Sequence, residues 1–396
     1  MVVRIFHLPV VRATFPHPAL VPLALFGCLF IGDVSFPQPS ASFDCRSADG
    51  PDCRERELSS LADRGLSASA VSHHNLAVAL QAKGDQAAAV AEYREALRIK
   101  PDFAEAHHGL GLAYFSQGDV DAAIAEFRAA IDLQPEYAIA RGSLGQALES
   151  KGDLNGAIRE YREALRLKPD LWMVHNNLGI VLKTTGRLDA AIASYREAIR
   201  LQPNNAALHN NLGITLRATG DLAGAITAYR TAFRLQSGPA AAQYGFNLGN
   251  ALLANGEAGA AIALYQTVLR LQPDHTDAHL QLAIALQNAG DLTGAIASYR
   301  EALRLQPDNA IIHANLGVAL QQSGDLDGAI AFYRRATQLE KEMAIAQYNL
   351  GMACLESGKR QEAAHAFREF LRLTPDTPDN RGKIANAKGQ LEELSR

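Results

Sequence analysis

The sequence predicts an all-α solenoid of stacked helix pairs. Three observations carry this prediction: a fixed repeat length, two helical apolar periods in each repeat, and a glycine between those periods. The copy that begins at Asn210 repeats the copy that begins at Asn176, so the offset is 34 residues. A constant offset of this size is typical of units that bury their core against their neighbours.

The register of the repeat is set by a leucine, a glycine eight residues later, an alanine five residues after that and an aromatic residue four further on. The leucines are Leu76, Leu110, Leu144, Leu178, Leu212, Leu248, Leu282, Leu316 and Leu350. A proline closes eight copies, and Lys341 stands where the remaining proline would be. This register gives nine repeats over 70–377.

Each repeat holds two amphipathic helices, here called helix A and helix B. In the fourth repeat Leu178 and Leu182 line one face of helix A, and Tyr195 and Ile199 line one face of helix B. The internal glycine is placed to end helix A in the left-handed conformation. An aspartate follows it in six copies, where it can cap helix B. The closing proline comes where the chain must stop being helical.

Two irregularities interrupt the array. Ser237 and Gly238 are inserted before Pro239, and Gly245 falls in the next helix A. Because each such glycine lowers helix propensity by about 1 kcal/mol, we expect a looser joint between repeats five and six. Since Lys341 replaces a proline, we expect helix B of repeat eight to run further.

The pattern resembles the tetratricopeptide repeat family, whose spacing runs aromatic, two residues, Leu-Gly, two residues, Tyr, then Ala, three residues, Phe, then Pro. The matching residues of the fifth copy are His209, Leu212, Gly213, Leu216, Ala225, Tyr229 and Pro239. The resemblance implies a right-handed superhelix of helix hairpins, with a concave groove lined by the A helices.

The charge balance bears on the class of partner. The formal net charge of −4 argues against a general nucleic-acid binder, which usually has a basic excess. Readout of RNA at one base per repeat is disfavoured too, because the groove cations are chiefly Lys183 and Arg217, against Glu105, Glu149 and Asp277. We therefore predict no nucleic-acid partner.

Residues 1–42 differ in composition from the repeats. Arg4 and Arg12 are the charged side chains that precede Asp33, and 19–32 is an apolar run. The run is shorter than the roughly 20 residues of a membrane span and is typical of a signal-peptide core. We expect export to the periplasm, the cell envelope or the exterior. The alternatives are an uncleaved anchor with membrane association, or a cytoplasmic chain if the segment is not a signal.

Two cysteines lie in the linker and lead-in helix expected over 43–69. Cys45 and Cys53 flank a turn sequence and would form a disulfide in an oxidising compartment, whereas without export they would be free thiols. The sequence Leu25–Cys28 resembles a bacterial lipobox, so lipid attachment is a further possibility.

The end of the chain carries two further expectations. Cys354 takes a leucine position of helix A in the last repeat and is interpreted as a buried core thiol. In 378–396, Ile384 and Leu391 have helical spacing, as expected of the polar-backed helix that caps a solenoid.

Histidine recurs at one position of helix A. The six residues are His73, His107, His175, His209, His279 and His313. Neighbouring A helices lie roughly 10 Å apart, whereas zinc ligands bind at about 2.1 Å. We interpret this row as packing between repeats and predict no metal and no cofactor. No triad, phosphate loop or pair of acids stands out from the repeat, so we predict that the chain is not an enzyme.

Arginines recur along helix B, for example Arg162 and Arg166 in the third repeat. Such a row could attract an anionic partner. The second member of each pair lies in the last helical turn, where a cation complements the helix dipole, so we favour a solvated outer face.

An amide row is the best candidate site. It stands just before the repeated leucine and comprises Asn75, Asn177, Asn211, Asn247, Gln281, Asn315 and Asn349. Amides offer donors and an acceptor to the backbone of an extended peptide. Beside them runs an apolar stripe that includes Ile180, Ile214 and Ile284. Both rows could instead serve packing within the solenoid. We predict a protein-interaction scaffold that binds an extended peptide or partner protein; the alternative is an accessory or substrate-recruiting subunit of an envelope enzyme complex.

Overall fold

The computed structural model describes residues 69–395, and this part of the chain is all-α, as predicted. It contains 19 α-helices and no strand. The described residues fall in two compact units, 69–204 and 205–395. The predicted signal segment, Cys45 and Cys53 lie outside the described residues.

The first unit holds four helix pairs. Its A helices are α1 (Ala70–Ala82), α3 (Ala104–Ser116), α5 (Ala138–Lys151) and α7 (Trp172–Thr184). Its B helices are α2 (Gln86–Ile99), α4 (Val120–Leu133), α6 (Leu154–Leu167) and α8 (Leu188–Leu201). Each A helix packs against its own B helix, and α2, α4 and α6 pack against the A helix that follows.

The second unit holds five pairs. Its A helices are α9 (Ala206–Ala218), α11 (Ala242–Ala254), α13 (Thr276–Asn288), α15 (Ala310–Gln322) and α17 (Ala344–Glu356). Its B helices are α10 (Leu222–Leu235), α12 (Ala258–Leu271), α14 (Leu292–Leu305), α16 (Leu326–Leu339) and α18 (Arg360–Leu373). A last helix, α19 (Arg381–Ser395), packs on α18 and buries Ala387.

The predicted glycine makes the turn between helices A and B. In all nine repeats it has a positive φ, for example 87° at Gly152. The predicted aspartate caps are also confirmed, since the Asp153 carboxylate accepts a 2.8 Å hydrogen bond from the Gly156 N–H. Three B helices lack a side-chain cap because another residue stands at this place, namely Arg187, Glu257 and Lys359.

The helix-B aromatic ring forms the centre of each repeat. Tyr195 is completely buried, and a Cβ added at Gly179 of helix A would lie 2.7 Å from its ring. The glycine therefore lets the two helices approach closely. Repeats one and seven carry Ala77 and Ala283 at the position of Gly179, and both are fully buried. In these two repeats the helices therefore leave room for a methyl group beside the aromatic ring.

The prediction of a looser joint between repeats five and six is wrong. Gly238 turns the chain with a φ of 66°, Pro239–Ala241 forms a 3₁₀ turn, and α10 packs closely on α11. Gly245 is buried, and a Cβ there would lie 2.8 Å from Val268 and 3.0 Å from Phe233. The glycine thus closes the joint, because its missing side chain makes room for these two neighbours.

The prediction of a longer helix B in repeat eight is also wrong. Helix α16 ends at Leu339, and Glu340 is extended with φ −130°. Met343 is 8% exposed and packs in the same core cluster as Ala346 of α17. We attribute the helix end to this burial, which requires the chain to turn inward whether or not a proline follows.

The histidine row ties repeats together through hydrogen bonds. Nδ1 of His107 lies 2.6 Å from Oε2 of Glu126 on helix B, and its Nε2 lies 3.1 Å from the carbonyl oxygen of Pro101, which closes the previous repeat. The same contact to the preceding proline carbonyl occurs at His175, His279 and His313. These side chains therefore hold helix A against the end of the previous repeat.

Candidate functional site

The candidate surface of each unit is formed by the amide row and the apolar stripe of its A helices, and is called here the A face. The rows lie on α1 and α7 in the first unit and on α9, α11, α13, α15 and α17 in the second. Each of the two compact units has its own A face.

In the first unit the amide row is interrupted. Asn75 and Asn177 belong to it, and the two positions between them in the repeat register are occupied by Gly109 and Ser143. Asn75 is exposed and Asn177 half-buried. A Cβ on Gly109 would lie 2.5 Å from the Tyr93 ring, so this position touches the aromatic ring of the preceding repeat. Oδ1 of Asn177 accepts a 3.2 Å hydrogen bond from the side chain of Asn176, so part of its amide is engaged within α7.

In the second unit the amide row is continuous. Its members are Asn211, Asn247, Gln281, Asn315 and Asn349. Asn247 donates a 2.8 Å hydrogen bond to Asn210 on the neighbouring A helix. Asn315 and Asn349 are completely buried, and both amide atoms of Asn349 lack a partner among the described residues. Asn211 and Gln281 keep part of their surface exposed.

The apolar stripe stays partly open. Ile180 on α7, Ile214 on α9 and Ile284 on α13 are each half-buried, three residues after a member of the amide row. Exposed aliphatic surface beside polar groups that fix orientation is the usual composition of a ligand groove.

Four helix-B tyrosines donate a hydrogen bond from their hydroxyl group to helix A of the same repeat. The tyrosine donates to a polar residue twelve positions earlier on helix A, and the pairs are Tyr93 with Gln81 at 3.0 Å, Tyr161 with Glu149 at 2.8 Å, Tyr299 with Gln287 at 2.9 Å and Tyr333 with Gln321 at 3.0 Å. Sequence reasoning missed this link. Its signal is that repeats two and nine combine Phe with an apolar residue at that earlier place, as in Phe127 with Phe115 and Phe367 with Leu355.

The electrostatics of the first A face depend on burial. Burial raises the pKa of the Glu149 carboxyl, although the hydrogen bond from Tyr161 lowers it. Burial also lowers the pKa of the Lys183 amine. The Glu149 carboxyl and the Lys183 amine are therefore both partly shielded from water.

The repeated arginines lie on an exposed surface of helix B. Five of those in the last turn pair with a glutamate three residues earlier, and the pairs are Arg98–Glu95, Arg166–Glu163, Arg200–Glu197, Arg304–Glu301 and Arg372–Glu369. Exposed pairs of this kind contribute little to stability, and they agree with a solvated outer face.

Four further features bear on chemistry and membranes. Within 69–395 no group of three or more acidic, histidine or cysteine side chains is placed to hold a metal ion. His108 is buried with its Nε2 3.0 Å from the Ser143 hydroxyl, and burial lowers its pKa to about 4. Cys354 is the predicted core thiol, fully buried, and burial raises its pKa to about 11. No helix between 69 and 395 is long and apolar enough to cross a bilayer.

Several solved structures are similar to this chain. YrrB, described as a TPR protein with an unusual peptide-binding site, is 19% identical over 50% of this chain and 97% of its own, with a TM-score of 0.42. A MamA structure is 26% identical over 42% of this chain and 96% of its own, with a TM-score of 0.40. Yeast Tom70 is 14% identical over 87% of this chain and 94% of its own, with a TM-score of 0.42. No curated protein matches the chain.

Two family sequence models match the chain directly. The one described as "Tetratricopeptide repeat" matches residues 108–171, 210–276, 246–310, 280–341 and 315–378. The one described as "TPR repeat" matches residues 77–118 and 184–220. Together with the nine helix pairs and their glycine turns, these matches cover well over half of the sequence, and the chain therefore belongs to the tetratricopeptide repeat family.

Proposed function

We propose that this chain is a non-catalytic protein-interaction scaffold whose A faces bind an extended peptide or an extended segment of a partner protein. The observation that carries the proposal is a half-buried amide beside a half-buried isoleucine on α7, α9 and α13. An extended chain rises about 3.3 Å per residue, so about three residues span the roughly 10 Å between neighbouring helices. One amide per repeat would thus meet every third residue of the ligand.

The strength of such binding comes from repetition. A hydrogen bond between an amide and a peptide backbone contributes about 1 kcal/mol net, which alone gives negligible affinity. Several such bonds along one face, together with burial of aliphatic surface on the isoleucines, reach useful affinity. The scaffold is proposed to catalyse no reaction, because the polar side chains of the A faces belong to repeated rows and not to one unique constellation.

The test selects ligands and then maps them. A phage-displayed library of random peptides is panned on the full chain, and the enriched peptides are titrated by calorimetry. The groove variant carries Ile180→Asp, Ile214→Asp and Ile284→Asp. The matched control places the same charges on exposed helix-B positions of the same repeats, as Ala193→Asp, Thr227→Asp and Ala297→Asp.

We expect the groove variant to lose at least about tenfold in affinity, since it buries carboxylates against aliphatic ligand groups. The control variant should bind like the wild type. Equal affinity of all three proteins, or loss in the control alone, would place the ligand elsewhere and overturn the proposal.

We further propose that the protein acts after export, on the strength of the apolar run in 19–32. The second candidate role, an accessory or substrate-recruiting subunit of an envelope enzyme complex, uses the same faces with an enzyme as partner. A pull-down from the native envelope distinguishes the roles: stoichiometric recovery of one enzyme favours the accessory subunit, and recovery of several non-enzymatic partners favours the general scaffold.

A further inference from the structure

The last-turn arginines of α10 and α12 lack the acidic partner that the same arginine has in other repeats. Five such arginines pair with a glutamate three residues earlier on their own helix. The residue three before Arg234 is Thr231, and the residue three before Arg270 is Thr267. Among the described helices, repeats five and six are therefore the places where a last-turn arginine has lost its glutamate.

A second kind of acidic partner is also missing there. Arg334 on α16 reaches across to the next helix B and donates two hydrogen bonds to Glu362 of α18, at 2.6 Å and 2.7 Å. In the repeat register Arg230 of α10 stands at the position of Arg334, and Ala260 of α12 stands at the position of Glu362. Arg230 has no carboxylate within 4.0 Å in the described part of the chain.

The two helices contribute no acid of their own. Neither α10 nor α12 contains an aspartate or a glutamate. The acids just before them, Asp221 and Glu257, stand at the opposite ends of the helices, roughly 20 Å from the last turn at a rise of 1.5 Å per residue. Asp274 follows Arg270 by four residues, but the guanidinium donates its 2.7 Å hydrogen bond to the hydroxyl of Thr267 instead.

The surface around the arginines is open and made of small side chains. Arg230, Arg234 and Arg270 are all exposed, and so are Ala260 and Ala263 of α12. The alanines leave room for another backbone to approach the helix. A guanidinium group presents its N–H donors as a fixed fork that matches the two oxygens of a carboxylate.

We propose that Arg230, Arg234 and Arg270 form a second binding surface, here called the arginine patch, which takes an acidic segment of a partner protein. The partner would supply the carboxylates that glutamates of the chain supply in other repeats. The patch lies on helices B of the second unit, so it does not depend on peptide binding at the A faces. An anionic membrane fits it less well, since such membranes are bound by clusters of about four to eight cations.

The chain's own repeats supply the variant. Thr231→Glu with Thr267→Glu places in repeats five and six the glutamate that other repeats carry, so both last-turn arginines gain a partner that the fold already uses. Ala125→Glu with Ala193→Glu is the matched control, because it adds the same two charges at exposed helix-B positions of the first unit. Melting followed by circular dichroism checks that all three proteins are folded.

The probe is a fluorescently labelled deca-glutamate peptide, titrated with the full-length protein by anisotropy at low salt and at about 0.15 M salt. We expect the threonine variant to bind at least about tenfold more weakly than the wild type, since the charge-assisted hydrogen bonds of two arginines are lost. The control should bind like the wild type, and a deca-glutamine peptide should not bind. Affinity should fall as salt screens the charges.

Three results would overturn the arginine patch. They are equal affinity of the threonine variant and the wild type, an equal loss in the control, and no binding of the acidic peptide. Vesicles that contain phosphatidylglycerol are tested beside the peptide. Wild-type protein that sediments with these vesicles and ignores the peptide would assign the arginines to a lipid surface and contradict the proposal.

Discussion

The hydroxyl of Tyr161 on α6 donates a 2.8 Å hydrogen bond to Oε2 of Glu149 on α5. Tyr161 is completely buried, and burial raises the pKa of Glu149. The bond therefore stabilises a carboxylate that is largely shielded from water. It also joins helix A to the buried tyrosine at the core of its repeat. The same link, with glutamine in place of glutamate, recurs in three other repeats.

The first prediction concerns this pair. Tyr161→Phe leaves the Glu149 carboxylate without its donor, so the free energy of unfolding should fall by about 1–3 kcal/mol. Adding Glu149→Leu reproduces the combination of Leu355 and Phe367 found in repeat nine and should restore more than half of the loss. Urea denaturation of the two single variants and the double variant measures the coupling. Additive effects would show that the bond contributes nothing of its own.

The second prediction concerns the stability of the folded chain at acidic pH. Burial lowers the pKa of His108 from 6.5 to about 4. Between these values the unfolded chain binds a proton that the folded chain does not, so stability rises with pH in this window and is lost as pH falls. The loss amounts to about 3 kcal/mol. His108→Gln should flatten this slope in urea midpoints measured from pH 7 to pH 4.

His107→Gln gives the opposite sign and serves as the control. The hydrogen bond to Glu126 raises the pKa of His107, so its stabilisation is complete below pH 6.5 and is lost as pH rises through the folded value. The variant should therefore be least stable, relative to wild type, on the acid side. Identical pH slopes in the two variants would contradict both assignments.

The third prediction concerns Cys354. The thiol is fully buried and its pKa is raised to about 11, so little thiolate forms at neutral pH and reagents have no access. In a chain with Cys28, Cys45 and Cys53 changed to serine, a disulfide reagent should label Cys354 orders of magnitude more slowly than free glutathione. The rate should rise to the free-thiol value in urea. Fast labelling of the folded chain would show that α17 opens readily.

The repeat pattern was enough to predict the helices, the glycine turns and the aspartate caps, because each depends on residues close in sequence. Gly152 and Asp153 illustrate this, since both act within one turn of the chain. The predictions that proved wrong concern places where a contact with residues distant in sequence determines the local structure. Helix propensity alone makes Gly245 a weak point of its helix, yet its partners Val268 and Phe233 lie on neighbouring helices.

The amide row shows the same limit at the candidate site. Its placement on the A helices could be predicted from the spacing alone. Its hydrogen bonds could not, because Asn247 donates to Asn210 of another repeat. The link between helix-B tyrosines and helix A required comparison of one repeat with the next.

The fourth prediction concerns the segment before residue 69. If the chain is exported, Cys45 and Cys53 meet in an oxidising compartment and should form one intramolecular disulfide. Mass spectrometry of an unreduced digest of the native protein should find the two peptides joined, with an N-terminus beyond Met1 if the signal is cleaved. Two free thiols on a chain that still begins at Met1 would count against export.

The central claim is that the amides of the A faces bind an extended peptide, and one titration tests it most directly. The triple variant Asn177→Ala, Asn211→Ala and Asn247→Ala is titrated with a panned peptide and melted beside the wild type. Because each lost hydrogen bond is worth about 1 kcal/mol, we predict that affinity falls by more than tenfold while the melting temperature drops by only a few degrees. Unchanged affinity, or a collapse of the melting temperature, would show that the amides serve the fold alone and would contradict the claim.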